Sequence, residues 1–379
     1  MQLSVIILNY NVRYFLELCI LSVQKAIHNL DAEIIVIDNN SSDDSCTMMN
    51  QRFPNIKFIQ NKENSGFPKG NNIGVAKAKG EYICIINPDT VVAENTFEKI
   101  LAFAKSKTDL GIVGCKLIDG SGNFLPESKR GIPSPWVAFT KIFGLHTIFP
   151  KTTLFNKYYA QHLNENETGE VAVLVGAFML MKRELYQEIG GFDENCFMYS
   201  DDIDLSYMVI KKLKKNYYFS DTTIIHYKGE STVRDKKYMK HFQEAMQFFY
   251  KKHFRKSFIF DVMMQIGSFM FSKFKMNQPQ KRQFYPDETI LFSKDIFSYQ
   301  YENHPIYYAN FEEFKINPNR NYQLVFNVHS FSFHDIIKYM ETVKAKNVRF
   351  SMLVPQSNFI IGSNHANDRG IVTNLSKIA

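Results

Sequence analysis

The first 115 residues alternate apolar runs with amphipathic stretches, and the turns between them are rich in Asn, Asp, Gly and Pro. Apolar runs bounded by such turns predict strands at Leu3–Leu8, Glu33–Ile37, Ile56–Gln60, Tyr82–Ile86 and Gly111–Gly114. After the first strand, Phe15, Cys19 and Val23, and Leu16, Ile20 and Ile27, recur at helical spacing. Further helices are expected at Asp43–Asn50, Lys69–Lys79 and Ala93–Lys105. Strands alternating with helices predict an α/β unit whose sheet is mostly parallel and flanked by helices. The stretch LIDGSGNFLPE, starting at Leu117, reads as a hairpin.

Residues 129–170 are irregular, with Pro133, Pro135, Pro150 and many aromatics, as in a long loop kept for function. Order returns in VAVLVGAFMLMKRELYQEIGGFDE as a strand, a short helix and a Gly-Gly stop. A helix from near Asp202 and strands at Tyr217–Ser220 and Thr223–His226 complete a first domain over residues 1–234. Residues 235–282 form a basic helical segment ending near Met276, followed by the linker NQPQKRQ. Residues 283–379 read as a small separate α/β module, with strand, helix and strand at Tyr322–Asn327, Phe333–Ala345 and Val348–Leu353.

With 45% apolar and 22% charged residues, the chain is a folded protein. Its five cysteines are scattered without a CxxC pair, which predicts buried thiols in a reducing compartment rather than disulfides or structural zinc. The chain enters a strand at once, with no basic flank or cleavage site, so no signal peptide is expected. The most apolar stretch, Phe258 to Phe271, carries Asp261 and Gln265 and falls short of the roughly 18 to 20 residues that span a bilayer. A cytoplasmic protein is expected, resting on the inner face of the cytoplasmic membrane if it meets lipid at all. The net charge of +7 is modest, but seven lysines and arginines fall between Lys236 and Lys256, interleaved with aromatics. Such a helix suits an anionic lipid surface, and equally an internal packing contact with a solvated basic face. No nucleic-acid-binding fold is recognisable, so no nucleic acid partner is expected.

The chemistry lies where the strands end. In an open α/β sheet, ligands bind outside the carboxyl ends of the strands, so polar residues there can converge from distant positions. The first turn, Asn9-Tyr10-Asn11, has no glycine, which excludes a dinucleotide-binding G-x-G-x-x-G; no Walker loop or triphosphate loop is present either. Asp38, in IDNNSSDDS, is placed to accept hydrogen bonds from a base or ribose, or from its own turn. Gly66, Gly70 and Gly74 in ENSGFPKGNNIG would allow close backbone approach, with Lys69 offsetting phosphate charge. Asp89 in INPDT follows a strand directly, where a carboxylate can reach Mg²⁺ or Mn²⁺. Asp201, Asp202 and Asp204 crowd a helix start; dipole and capping account for one or two, and the third, Asp204, costs repulsion unless it binds something positive or points away. A carboxylate here could take the proton of an attacking hydroxyl. His226 ends the last strand of the domain, and as a ligand it would shift metal preference toward Mn²⁺.

Taken in order, SVIILNYN, VIDNNSSD, NSGFPKGNNIG, NPDT, VGAFMLMKRELYQEIGGFDE, FMYSDDIDLS and HYKGES resemble the inverting glycosyltransferases of family 2, in particular the rhamnosyltransferase-like branch with the GT-A fold. The resemblance runs from Leu3 to about Ser231. It implies a nucleotide-sugar pocket that includes Asn9, Asp38, Asn40, Asn64, Gly66, Lys69, Asn72, Asn87 and Gly176. It implies a divalent cation (Mn²⁺ or Mg²⁺) at Asp89 and His226, and Asp202, with Asp201 beside it, as the catalytic base. Two positions depart from the family pattern: Asn87 stands for the first acid of DxD, and Asp201 for a glutamate. The implied donor is a dTDP- or UDP-sugar, with rhamnose one such sugar, and the acceptor is a lipid-linked oligosaccharide or glycan of the cell envelope. The rival expectation is a catalytically idle nucleotide-sugar-binding subunit of an envelope assembly complex.

Overall fold

The computed structural model describes residues 1–134, 159–228, 236–254, 284–294, 299–300, 305–363 and 370–377. β1 (Leu3–Asn9) is buried along its whole length and pairs in parallel with β2 (Ala32–Asp38) on one side and β4 (Tyr82–Ile86) on the other. Strands covered on both faces need apolar residues at every position, which is why these segments read as continuous runs. β3 (Lys57–Gln60) continues the parallel order beyond β2. β6 (Leu110–Ile118) and β11 (Lys215–His226) run parallel to each other, and β10 (Phe178–Lys182) sits antiparallel between β4 and β6. The short β5 (Thr90–Val91) pairs antiparallel with the end of β11, and β8 (Gly169–Val171) with its start. The arrangement implied by the GT-A resemblance is present: a mostly parallel sheet of nine strands with helices on its faces.

The helices are α1 (Arg13–Ala26), α2 (Ser45–Arg52), α3 (Gly66–Val75), α4 (Thr96–Lys105), α5 (Arg183–Glu188) and α6 (Asp201–Lys211). Several elements differ from their sequence expectation. α4 begins at Thr96, three residues after the expected Ala93, and β6 runs to Ile118, past the expected Gly114. α3 begins at Gly66, three residues before the expected Lys69, and its two later glycines face the sheet. A Cβ at Gly70 would stand 2.5 Å from Leu8 Cδ1, and one at Gly74 2.7 Å from Ile6 Cγ2, so both glycines let the helix lie directly on β1 and β2. β11 is one strand where two were expected, with a register shift between Phe219 and Thr223. The expected hairpin after β6 closes through an Ile118–Phe124 bridge, with Asp119 Oδ1 accepting from the amides of Ser121 and Asn123.

The irregular region carries β7 (Lys129–Arg130), which pairs with β9 (Val173–Leu174); residues 135–158 lie outside the described residues. The basic helix is observed as α7 (Lys236–His253). Met246, Phe249 and Tyr250 are buried against Val173 and Ile203, so this part of its apolar face meets the protein body rather than lipid. Residues 255–283, the rest of the expected segment, lie outside the described residues. No described helix is long and apolar enough to cross a membrane.

Beyond residue 284, six strands form a second sheet, in the order Ile306–Tyr308, Glu288–Phe292, Tyr322–Asn327, Val348–Val354, Phe359–Gly362 and Ile371–Asn374. α8 (Phe333–Val343) packs on it through Phe333, Ile336, Ile337 and Met340. The region was expected to be separate, but its core is continuous with the first domain. Val12, Phe15 and Leu18 of the α1 face, with Val91, Ile225 and Tyr227, join Phe292, Phe326 and Phe359 in one buried cluster. The physical reason is that α1 is apolar on both sides, and the side turned away from the nine-stranded sheet must also be covered.

Candidate active site

A cleft of about 230 Å³ opens at the carboxyl ends of β1, β2 and β4. One wall comes from Leu8 and Tyr10 after β1, Asn39 after β2, and Asn64, Gly66 and Phe67 at the start of α3. The other comes from Asn87 and Pro88 after β4, Val175 to Ala177 before β10, and Asp201 and Asp202 opening α6. Phe197, Met198 and Tyr199 stand at its mouth. The strand order brings these pieces together: Asn87 N–H donates to Ala177 O, and Gly176 N–H donates to Asp202 Oδ2 at 3.0 Å.

Of the residues expected to bind the donor, Asn64, Gly66, Asn87 and Gly176 line the cleft. Asn9 and Asp38 do not; they form a buried pair beneath it. Asp38 accepts from Asn9 Nδ2 at 2.8 Å through one oxygen and from Ser41 N–H at 2.8 Å through the other, the turn-forming use of an aspartate. Asn40 is exposed with φ +65°, and Lys69 is exposed on α3, both outside the lining. Asn72 points the other way, donating to Phe192 O and Glu194 and accepting from Phe192 N–H, which ties α3 to the Gly190-Gly191 turn.

Sequence reasoning missed Asn39, the hub of this wall. It donates to Asn64 Oδ1 and Gly66 O and accepts from Asn61 and Ser65, holding the α3 entry in place. Gly66 has φ +81°, and a Cβ there would meet the Phe197 ring and carbonyl at 2.8 Å, so only glycine fits. No sequence signal marked Tyr10 or Asn39 apart from their place at strand ends.

The pairing of β5 with β11 sets His226 opposite Thr90, and His226 Nε2 lies 3.4 Å from Asp89 Oδ1. Asn87 Nδ2 is 3.3 Å from the same nitrogen, and Asn87 Oδ1 is buried without a partner. Among the described residues no group of three or more His, Cys, Asp and Glu side chains is placed to hold a metal ion. The donor set nonetheless suits a hard divalent ion, which takes one or two carboxylates and fills its remaining positions with water and substrate phosphate.

The three aspartates of α6 are disposed differently. Asp204 faces away from the cleft and meets Lys252 Nζ, its positive partner, at 2.8 Å; it also meets His253 Nε2 at 2.6 Å, an imidazole whose pKa burial pushes down. Asp202 Oδ2 accepts from Arg130 Nη2 of β7 at 2.5 Å as well as from Gly176 N–H. The Asp201 carboxyl is raised to about 7, first by burial and then by the Asp202 charge, against the lowering effect of the amides of Asp201 and Tyr199 and of Arg130. A carboxyl that changes charge near neutrality is suited to proton transfer.

Residues 4–190 match the model of glycosyl transferase family 2. The chain belongs to that family. The match ends before α6, so the acidic pair and His226 lie beyond it. This family 2 glycosyltransferase is 26% identical over 248 residues to the N-acetylglucosaminyl-diphospho-decaprenol L-rhamnosyltransferase of Mycobacterium tuberculosis, covering 62% of this chain and 78% of that protein. It is 25% identical over 221 residues to the rhamnosyltransferase WbbL of Escherichia coli K12, covering 54% of this chain and 78% of WbbL. The solved mannosyltransferase PcManGT of Pyrobaculum calidifontis, in complex with GDP-Man and Mn²⁺, superposes with a TM-score of 0.47 at 14% identity, over 74% of this chain and 76% of that one. That likeness is too low to carry weight.

Proposed function

We propose that this glycosyltransferase acts with inversion, moving a sugar from a nucleotide-diphosphate donor to a hydroxyl of a lipid-linked oligosaccharide or glycan in cell-envelope synthesis. The observation that carries the reading is the acidic pair at the start of α6, facing a cleft built from strand ends. Rhamnose is the first donor sugar to test, because the names of two relatives specify rhamnosyl transfer. The mycobacterial name also specifies a diphospho-decaprenol acceptor, which supports work at the inner face of the cytoplasmic membrane.

In the transfer step, the acceptor oxygen bonds to the anomeric carbon as the bond from that carbon to the diphosphate breaks. The electron pair of the broken bond leaves with the diphosphate, and the hydroxyl proton passes to the acidic pair. Asn39, Asn64 and Gly66 fix the wall against which the nucleotide lies, and Gly176 leaves room for the sugar between that wall and Asp202. A divalent cation held by Asp89 and His226, with Asn87 beside them, would offset the charge of the departing diphosphate.

The idle scaffold has no use for a carboxyl poised near neutrality in a donor cleft, and the family match supports the transferase instead. Incubating the full chain with dTDP-rhamnose or a UDP-sugar, Mn²⁺ and a polyprenyl-diphosphate-linked acceptor should yield an elongated lipid with inverted anomeric configuration. A product of retained configuration, or no turnover and no donor hydrolysis with any nucleotide sugar, would contradict the proposal.

A further inference from the structure

We propose that Arg130 is a positioning residue of the acidic pair: by holding Asp202 Oδ2 it fixes that carboxylate, leaving Asp201 as the member that takes the acceptor proton and releases it to solvent. The inference rests on the transferase reading but uses geometry of its own. Arg130 lies on β7, about seventy residues before the pair in sequence, and is nearly buried. Its guanidinium also donates to Leu174 O on the neighbouring β9, so both strands of that two-stranded sheet hold the group at a set distance from α6. Asp202 Oδ2 thus receives a charged donor and the Gly176 amide together, a charge-assisted arrangement that restrains its orientation. Among the described residues, Asp201 receives no cation of its own.

Among the described residues, the charged and titratable neighbours of Asp201 are Asp202 on α6, Arg130 on β7 and Cys196 in the preceding loop, with Tyr10 and Tyr199 elsewhere in the cleft lining. Lys252 and His253 of α7 are engaged by Asp204. Removing the guanidinium leaves two buried carboxyls facing each other with nothing positive between them. They must then share a proton to higher pH.

The test is an infrared titration of the full-length protein, following the protonated-carboxyl band, alongside the pH profile of kcat. In wild type the band should vanish with a midpoint near neutrality and be absent from Asp201→Asn. Arg130→Met should move the midpoint up by about one pH unit and lower kcat about a hundredfold, with the donor KM within about threefold. Arg130→Lys should restore the midpoint to within about half a unit. If Arg130→Met does not fold, Asp202→Asn takes its place: loss of that charge should move the midpoint down. A band that persists in Asp201→Asn, or a midpoint unmoved in Arg130→Met and in Asp202→Asn, overturns the assignment. The infrared result does not depend on turnover. Bands that behave as stated in a protein that transfers no sugar would count against the transferase reading, and with it the acceptor-proton role of Asp201, and leave standing the hold of Arg130 on Asp202.

Discussion

At the residue scale, the same side-chain type performs three tasks within four positions of α6. Asp204 anchors α7, Asp202 is held by Arg130 and Gly176, and Asp201 faces the cleft with a carboxyl raised to about 7. The raised value has a consequence for stability whose sign is fixed by linkage. The fold favours protonated Asp201, so its contribution is complete below the ordinary carboxylate value of 3.8 and is lost as pH rises toward 7. Asp201→Asn should therefore melt at a higher temperature than wild type at pH 8, with the gap shrinking toward pH 5. An equal gap at both values would show that burial does not penalise this charge. Sequence alone identified all three aspartates and that Asp204 would either bind something positive or point away. It did not identify Arg130, because nothing local in SKRGIP tells that a strand two residues long will deliver a guanidinium to a helix beginning at Asp201. Asp38 was legible as a strand-end aspartate, but which of its two uses applied depended on Asn9 and Ser41 being within reach.

At the element scale, α3 illustrates how a motif can carry a packing reason beside a chemical one. Its glycines were expected to approach phosphate, but only Gly66 reaches the cleft, while Gly70 and Gly74 bring the helix onto the sheet. The two effects of Gly74→Ala oppose each other. Helix propensity gains about 1 kcal/mol, whereas overpacking a buried site costs about 1 to 3 kcal/mol. Ile6 Cγ2 belongs to a fully buried strand residue that cannot step aside, so the cost should win. Denaturant melts should show Gly74→Ala destabilised by about 1 to 2 kcal/mol, with nucleotide affinity unchanged within about twofold. A stabilised variant would mean that α3 can lift off the sheet. The β5–β11 pairing is the other element-scale device, since it carries the late histidine to the NPDT turn. The sequence held both ends of that contact, but β5 is too short to register in a hydrophobic pattern.

At the scale of the whole molecule, the two sheets form one body around α1. Glu94, just after β5, accepts the N–H groups of Phe333 and His334 at 2.9 Å each, capping α8 from the other sheet. Glu17, fully buried on α1, meets Arg52 at 2.7 Å and Arg13 at 3.2 Å and accepts from Ser357. Calorimetry should therefore find one cooperative transition for the whole chain, lowered by Glu94→Ala through the loss of about 1 kcal/mol of capping. Two resolved transitions would show that the C-terminal sheet folds alone. The α/β class and most strands of the first domain were legible because each strand is a bounded apolar run; the order in which they pair was not, since it depends on contacts between distant segments. The shared core was not, since α1 shows which of its positions are apolar but not what will cover its second face. The central claim is a donor site at the end of β4 that depends on metal. It is tested most directly by calorimetric binding of UDP, dTDP and GDP to the full chain, with and without Mn²⁺, in wild type and Asp89→Ala. The account predicts that one diphosphate binds only with Mn²⁺ and that Asp89→Ala loses this binding; wild-type affinity in Asp89→Ala, or no binding of any nucleotide, would contradict it.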